Sequence, residues 1–436
     1  MVKYCIVGTG SRGIGMFARD LVSEYADVAQ LVGLCDANIG RLEYAQAILG
    51  QRIPIFTDFD EMMKTVACDT VIVTTKDSTH HEFIVKALRS GRDVITEKPM
   101  TIDDEKVRAI LEAERETGKR VRVSFNYRYA PYKTKVKELL MQGIVGQVHS
   151  VEFRWYLDTV HGADYFRRWH RQKRNSGGLL VHKATHHFDL INWWLGEEPI
   201  DVFAFGSRQF YRPERKPGHG VRCQACELGH NCEFYLDLSR GEYRTLYLDQ
   251  EAHDGYFRDQ CVFSDDTDIE DTVSVLARYP NHIQLTYALT AATPFEGWQV
   301  AFNGSKGRLE AFEPEFFITE GNQSDFASRE GKSVRMPVDW RWANPGQKET
   351  LTSLQIRFYP LFGGVQTFEL PLGNGGHGGG DRLLKDHLFR DSTADPLGHQ
   401  AGSRAGAMSV LLGVAANRSI AQGRLVSISE LLGGTI

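Results

Sequence analysis

The sequence predicts an α/β chain in two parts: a doubly wound parallel sheet, then an α+β region with a large, mostly antiparallel open sheet. Three observations carry that expectation. Residues 1–125 alternate short apolar runs with helical patterns, the rhythm of βαβ units. Beyond them, strand-like runs follow one another with few helices between. Finally, 436 residues exceed what one core ordinarily organises, so two domains, 1–125 and 126–436, are expected.

Lys3 to Val7 is a short apolar run that ends in G-T-G-S-R-G, Gly8 to Gly13, and a helical pattern follows from Met16 to Tyr25. A second run, Leu31 to Cys35, ends at Asp36, 23 positions beyond Gly13. Strand, glycine turn, helix, strand and acid in this order form a Rossmann dinucleotide site. The first glycine permits the tight turn and the second lets backbone approach a pyrophosphate. The third permits close helix–strand packing, and the helix N-terminus favours negative charge. NAD is expected over NADP, because Asp36 can accept hydrogen bonds from ribose hydroxyls and its charge repels a 2′-phosphate, with Arg41 nearby to soften the effect.

Strand-like runs at Thr70 to Thr75, Asp93 to Thr96 and Arg120 to Ser124 alternate with helical patterns near Asp58 to Val66, His80 to Ser90 and Asp103 to Thr117. Ligands bind such sheets at the carboxyl ends of the strands. The loops that matter are therefore T-T-K-D-S-T-H (Thr74 to His80), E-K-P (Glu97 to Pro99) and N-Y-R-Y-A-P (Asn126 to Pro131).

Composition narrows the partners. A net charge of −5 has the wrong sign for a general nucleic-acid binder. No apolar run approaches the roughly 20 residues of a membrane span. The chain enters a strand at once, without a signal-peptide pattern, and its seven cysteines are an odd number. A reducing, cytoplasmic setting is expected.

The glycine turn, the Thr75–His80 loop, the E-K-P and the N-Y-R-x-x-P together resemble the Gfo/Idh/MocA family, the glucose–fructose oxidoreductase and inositol dehydrogenase group. The resemblance is close over the first 200 residues and looser beyond. It implies a Rossmann domain followed by an α+β domain whose open sheet lines the substrate site on one face and commonly makes an oligomer contact on the other, as a homodimer or homotetramer. It implies a cofactor site formed by Gly8, Thr9, Gly10, Ser11, Arg12, Gly13, Asp36, Arg41, Thr74, Thr75, His80, Glu97, Lys98 and Asn126. The family's E-K-P lysine falls on Lys98, beside the nicotinamide and the reacting hydroxyl. Desolvation suits a lysine there for proton transfer, since it lowers the pKa towards neutrality.

SGGLLVHKATHHFDLINWWLG, Ser176 to Gly196, places His182, His186, Asp189 and Trp193 on one face of a helix, at i, i+4, i+7 and i+11. The opposite arc is apolar. The pattern therefore presents His182 and His186 together on an open face, and His187 as a buried imidazole with a backbone partner. The family usually has an aspartate where this chain has His182, a glycine two residues on and a histidine four residues on. Here those positions hold His182, Ala184 and His186, so only the last matches. The resemblance makes His186 the imidazole beside the substrate hydroxyl. His182 cannot reproduce an aspartate's fixed charge, yet can still donate, accept or shuttle a proton. A His-x3-His metal site lacks a local third ligand.

Strand-like runs continue at Val148 to Tyr156, Val202 to Gly206, Thr272 to Tyr279, Ile283 to Ala291, Gln299 to Phe302, Arg308 to Phe312, Gln355 to Tyr359 and Thr367 to Leu370. A C-terminal helix spans about Arg404 to Gln422. An insertion at roughly 211–260 contains R-C-Q-A-C-E-L-G-H-N-C. Its Cys223, Cys226 and Cys232, with Cys261, His230 or His219 as a fourth ligand, suggest a structural zinc knuckle, against free thiols in a polar loop. The loop G-N-G-G-H-G-G-G-D, Gly373 to Asp381, can lie close to a ligand with His377 as its only ring. A similar segment occurs in the family's NAD-dependent glycosidase branch.

Three functions follow. The leading one is an NAD-dependent oxidoreductase of a sugar, cyclitol or glycoside, with Lys98 and His186, and His182 beside them, moving the hydroxyl proton. Tyr127, Arg128, Trp169, Arg171 and His377 then bind substrate, because rings and guanidinium groups suit polyhydroxylated ligands. The second is NAD-dependent glycoside cleavage through transient oxidation and elimination. The third is a non-catalytic cofactor-binding sensor.

Overall fold

The structure, a computed structural model, describes residues 1–317, 353–373, 376–390 and 394–434. The N-terminal sheet forms from β1 (Val2–Val7), β2 (Ala29–Cys35), β3 (Ile55–Phe56), β4 (Thr70–Val73), β5 (Asp93–Thr96) and β6 (Val121–Val123). All pair in parallel, in the order β6-β5-β4-β1-β2-β3, so the topological reversal falls beside β1. The central strand β4 is buried at every position, as expected of a sheet covered on both faces.

The helices begin where the chain supplies caps. Asn38, Asp58 and Asp103 each accept a backbone N–H from the first turn of the Ile39–Leu49, Phe59–Thr65 and Asp104–Thr117 helices, and Gly50 and Gly118 close the first and last of these in the left-handed region. The glycine-turn helix differs from the plain helical pattern: Gly13–Ala18 is wound as a π-helix before Arg19–Leu21 tightens to α.

The second sheet contains every strand expected from sequence. It is built from β7 (Val148–Asp158), β8 (Asp201–Ser207), β9 (Thr272–Arg278), β10 (Gln284–Thr293), β11 (Phe295–Gly304), β12 (Gly307–Phe317), β13 (Ser353–Pro360) and β14 (Gln366–Pro371). Two short strands follow, β15 (Ala401–Gly402) and β16 (Val426–Ser427). The nine-stranded order is β14-β13-β12-β11-β7-β10-β9-β8-β16, and all pairs are antiparallel except β7 with β10. Strict alternation in β9, with Val273, Val275 and Ala277 inward, marks one covered face. The Thr185–Leu195 and Ser403–Gln422 helices cover it, joined by Thr185 Oγ1 donating to Ser409 Oγ at 3.0 Å.

The expected division at residue 125 is crossed late in the chain. β15 adds antiparallel to β6 at the edge of the first sheet. Leu384, Leu388 and Phe389, from the Gly380–Phe389 helix, are buried in the same apolar cluster as Tyr4, Ile6 and Tyr25. Non-local pairing of two residues has no periodicity for a sequence pattern to register.

Three expectations about the histidine segment are corrected. It is not one amphipathic helix: Leu179–His182 ends, Lys183 and Ala184 intervene, and a second helix runs Thr185–Leu195. Gly413 of the C-terminal helix lies so close that a Cβ there would stand 2.3 Å from the Leu180 carbonyl oxygen, and the hydrogen bonds slip at this contact. Nor is either face open, since His182, His186, His187 and Asp189 are all buried. His187 pairs through Nδ1 with the Tyr287 hydroxyl at 3.0 Å, not with backbone. Asp189 takes Arg128 bidentately at 2.7 and 2.6 Å, and Arg128 Nη1 also donates to Gly398 O at 3.0 Å. That guanidinium is buried and held by Asp189 and Gly398. Removing one partner of such a pair ordinarily costs about 3–5 kcal/mol.

Candidate functional site

The glycine turn, the Thr74–His80 loop and the E-K-P meet at the carboxyl ends of β1, β4 and β5. Gly8 has φ +96°, and a Cβ on it would stand 2.6 Å from the Thr74 carbonyl group. A Cβ on Gly13 would stand 2.1 Å from Gly8 O. Thr74 Oγ1 donates to Gly8 O at 2.6 Å, which binds the crossing together. This cradle, with backbone N–H groups at its helix start, fits a dinucleotide. Asp36 ends β2 as expected: Oδ2 accepts from Thr9 N at 2.8 Å, and Oδ1 from Asn38 N at 2.9 Å. Arg41 lies between two carboxylates, 3.5 Å from Asp36 and in contact with Asp254.

His80 ties the next two loops. Its ring nitrogens lie 2.9 Å from Pro99 O and 3.1 Å from Thr75 O, and burial pushes its pKa down. Glu97 is fixed by Arg12 Nε at 2.7 Å and accepts from Lys98 N at 3.2 Å. Thr75 Oγ1 accepts from Thr79 Oγ1 at 3.0 Å. These contacts aim Lys98 across the domain boundary, where its Nζ donates to His182 O at 3.3 Å. Burial, then the nearby Lys183, pushes the Lys98 amine down to about 7, while Asp77 and Glu97 oppose the shift.

His182 has a carboxylate after all, supplied through space. Its Nδ1 lies 2.5 Å from Asp77 Oδ2, and both groups are buried. Burial drives the Asp77 pKa well up and the His182 pKa well down, so one shared proton satisfies both. The His182 ring packs near His170 at 4.2 Å, Tyr165 at 5.4 Å and Trp169 at 5.9 Å. His186 stacks on Tyr127 at 4.1 Å with an interplanar angle of 13°. Its Nδ1 is buried without a hydrogen-bond partner, and burial, with Lys98 and Lys183 adding, holds the ring neutral.

The glycine loop enters from the C-terminal region. His377, at φ 50°, places its ring 5.4 Å from Tyr127 and 6.3 Å from His186. Its Nδ1 lies 3.0 Å from Asp381 Oδ1, and Asn126 Nδ2 donates to that same oxygen at 2.5 Å. Despite burial, His377 and Arg12 hold the Asp381 carboxyl well below its usual range. Residues 374 and 375 of the loop lie outside the described residues. Trp169 stacks on His170 at 3.6 Å. Arg171, in the same short turn as Trp169, is buried and bonded to Asp266 at 2.5 Å.

Sequence reasoning missed Asp77, Asp381, His170 and Lys183. Asp77 stood inside a quoted loop, and its position after β4 was the available signal. The others converge only through tertiary packing.

Cys223, Cys226, Cys232 and Cys261 line one pocket with His219; the His230 side chain lies outside the described residues. Backbone N–H groups point at three sulfurs: Leu236 N at 3.4 Å from Cys223, Gly220 N at 3.2 Å from Cys226 and Phe263 N at 3.4 Å from Cys261. Burial opposes a Cys226 thiolate, yet the Gly220, Leu228 and Gly229 amides bring its pKa down. Burial pushes Cys261 up to about 11. All four thiols are free, and among the described residues no three ligand side chains are arranged to hold a metal ion. Nor, among these residues, is any helix long and apolar enough to cross a membrane.

Comparisons with known proteins agree with this geometry. Residues 2–125 match the oxidoreductase family's NAD-binding Rossmann fold, and residues 137–428 match its C-terminal alpha/beta domain. YteT of Bacillus subtilis (strain 168), which carries the name of an oxidoreductase, is 36% identical over 99% of this chain and 98% of its own. Inositol 2-dehydrogenase of Rhizobium meliloti (strain 1021) is 31% identical over 47% of this chain and 58% of its own. Among solved structures, the WlbA dehydrogenase of Bordetella pertussis, in complex with NADH and UDP-GlcNAcA, superposes with a TM-score of 0.63 at 17% identity, covering 98% of each chain. The chain is an NAD-binding oxidoreductase that belongs to the Gfo/Idh/MocA family.

Proposed function

We propose that the chain oxidises a secondary hydroxyl of a sugar, cyclitol or glycoside, with Lys98 as the proton acceptor. The observation that carries this is the position of the Lys98 amine. It lies beside His182 at the carboxyl ends of β4 and β5, and burial brings its pKa to about 7. A lysine at that value accepts a proton near neutrality without first being charged. NAD supplies the hydride acceptor. As the hydroxyl proton passes to Lys98 Nζ, the carbinol C–H leaves as hydride and a ketone remains. His182, oriented by Asp77, fixes the lysine through its carbonyl and relays protons within the site. His186, neutral and stacked on Tyr127, donates to or accepts from the same hydroxyl. Trp169 and His377 face the sugar, with Tyr127 buried behind His186. Asp189 and Gly398 hold the Arg128 guanidinium, while Arg171, paired with Asp266, keeps Nη1 without a partner.

A second reading has its own support: His377 and Asp381 form another acid–base pair beside His186. Cleavage of a glycoside needs a base for the C–H made acidic by the adjacent ketone, and an acid for the departing oxygen. Net oxidation needs only one proton relay, and it remains the leading reading because the second pair also serves to hold the loop against Asn126.

Relatives bear on the substrate only by class. The names of several concern inositols, and WlbA was solved with a sugar nucleotide. Self-association through the open sheet is part of the proposal, since Phe205 and Leu276 are 70% and 55% exposed on β8 and β9.

With a panel of glycosides, reduced cofactor should accumulate in step with a keto-product. Lys98→Met and His186→Ala should each lower turnover about 10²- to 10⁴-fold while NADH binding changes little. Release of aglycone without net reduction of cofactor, lost in His377→Ala, would favour cleavage instead.

NAD should be preferred to NADP by at least about tenfold, or roughly 1.4 kcal/mol. Asp36 repels a 2′-phosphate, and Arg41 is already held by Asp36 and Asp254. Binding titrations with both dinucleotides test this, and equal or tighter NADP binding would refute it.

We also propose one structural zinc at the cysteine pocket, because Cys223, Cys226, Cys232 and Cys261 line it together. Binding would have to draw their side chains into a ligand arrangement that the described residues do not show, and to deprotonate Cys223 and Cys261 against their burial. Elemental analysis of tag-free protein should find about one zinc per chain, retained in His182→Ala; no bound metal would leave the four as free thiols.

A further inference from the structure

The insertion lies across the dinucleotide face of the first sheet. Tyr243, Leu246 and Tyr247 share an apolar cluster with Ile6, Ile14 and Leu34. Polar contacts fasten the segment along the turn. Arg19 pairs with Glu242 at 3.0 Å, the Tyr44 hydroxyl donates to Glu242 at 2.9 Å, and Asn38 Nδ2 donates to Gln250 O at 3.0 Å. Gly40 is equally confined, since a Cβ there would overlap the Gln250 side-chain amide.

At the centre, the Tyr247 hydroxyl accepts from Ser11 N at 3.0 Å and donates to Ser11 Oγ at 3.0 Å. Ser11 lies inside the glycine turn, where the backbone N–H groups at the helix start face a bound pyrophosphate. The hydroxyl oxygen thus stands where an anionic oxygen would be received. Arg258 lies behind it, its guanidinium carbon 4.2 Å from the Tyr243 ring centre and 4.5 Å from that of Tyr247. Arg258 is 3% exposed and its Nε and Nη1 have no hydrogen-bond partner. Asp164 acts on its charge through space, but is itself bonded to Arg168 at 2.7 Å, a second cation that faces Arg258. Two aromatic faces offset part of the cost of burying that charge. An anion would complete it.

We propose that this insertion is a strap that closes over the cofactor's pyrophosphate, with the Tyr247 hydroxyl and the Arg258 guanidinium as its anion-binding groups. When the dinucleotide binds, Tyr247 yields the Ser11 N–H to a phosphate oxygen and turns its own O–H to phosphate, while Arg258 supplies the positive charge. The strap is closed on itself by contacts between its own two limbs. Arg222 pairs with Glu251 and Asp259, each at 2.6 Å, and Cys223 N donates to Asp259 O at 2.8 Å. Cofactor release then requires the segment to lift, which slows the exchange of NADH for NAD between turnovers. The proposal rests on the chain's dinucleotide-binding fold and adds ligands from outside it.

The test compares NADH, ADP and adenosine as probes of wild type, Arg258→Met and Tyr247→Phe, with affinities from titration and NADH release followed by displacement. Arg258→Met should weaken NADH and ADP by about tenfold or more and speed NADH release, leaving adenosine binding unchanged. Tyr247→Phe, which keeps the ring and removes only the hydroxyl, should shift NADH and ADP in the same direction by a smaller factor. Should Arg258→Met fail to fold, Tyr247→Phe decides alone. Unchanged ADP affinity in the folded variants, or an equal loss for adenosine, would overturn the strap. Wild type that binds neither NADH nor ADP would overturn the cofactor assignment along with it.

Discussion

At Gly8, Gly13 and Thr74 three backbone segments approach to distances that no Cβ could occupy. This crossing sets where the rest of the site lies. It fixes the first residue of the Thr74–His80 loop, and that loop carries both His80 and Asp77. His80 holds Pro99 and so the E-K-P, while Asp77 reaches over to His182. Lys98 is positioned between the two. A side chain at either glycine would move all of these together, because each is located by hydrogen bonds to the next and none is held alone.

The second feature of the site is its excess of buried basic groups. Burial acts on each imidazole in the same direction, Lys98 further depresses His170, His182 and His186, and Lys183 depresses Lys98, His182 and His186. Carboxylates are few, and Asp77 is itself pushed towards the neutral form. Burial therefore keeps these imidazoles neutral and leaves the Lys98 amine, at about 7, as the member of the cluster whose charge changes near neutral pH. An aspartate at position 182 would have put a fixed charge into this group. Here a histidine stands at that position, hydrogen-bonded to a carboxylate from another loop.

The parallel sheet, the open antiparallel sheet and the dinucleotide turn were legible because each rests on a local pattern: alternating apolar runs, glycine spacing, and an acid at a strand end. The helical wheel of the Ser176–Gly196 segment misled for a physical reason. It assumes continuous winding, whereas the helix breaks at Lys183 and Ala184, beside the close approach of Gly413 to Leu180, and both faces are buried. Arg128 illustrates a different gap. Composition suggested a sugar ligand, but Asp189, 61 residues away, claims its guanidinium. The cysteine motif was visible in sequence as a unit. Its neighbour, the strap on Ser11, was not, because Tyr247 is 236 residues from its partner and belongs to no recurring pattern.

The central claim is that Lys98 acts as the proton acceptor because burial has brought it near neutrality. The direct measurement is the pH dependence of kcat/KM in the oxidative direction, for wild type and Lys98→Met, with the substrate deuterated at the reacting carbon to keep hydride transfer in view. A base must be unprotonated, so the wild-type rate should rise with pH through an inflection near 7 and level off above it. That inflection should vanish in Lys98→Met, and the isotope effect should persist. A profile flat through this range, or the same inflection surviving in Lys98→Met, would contradict the account.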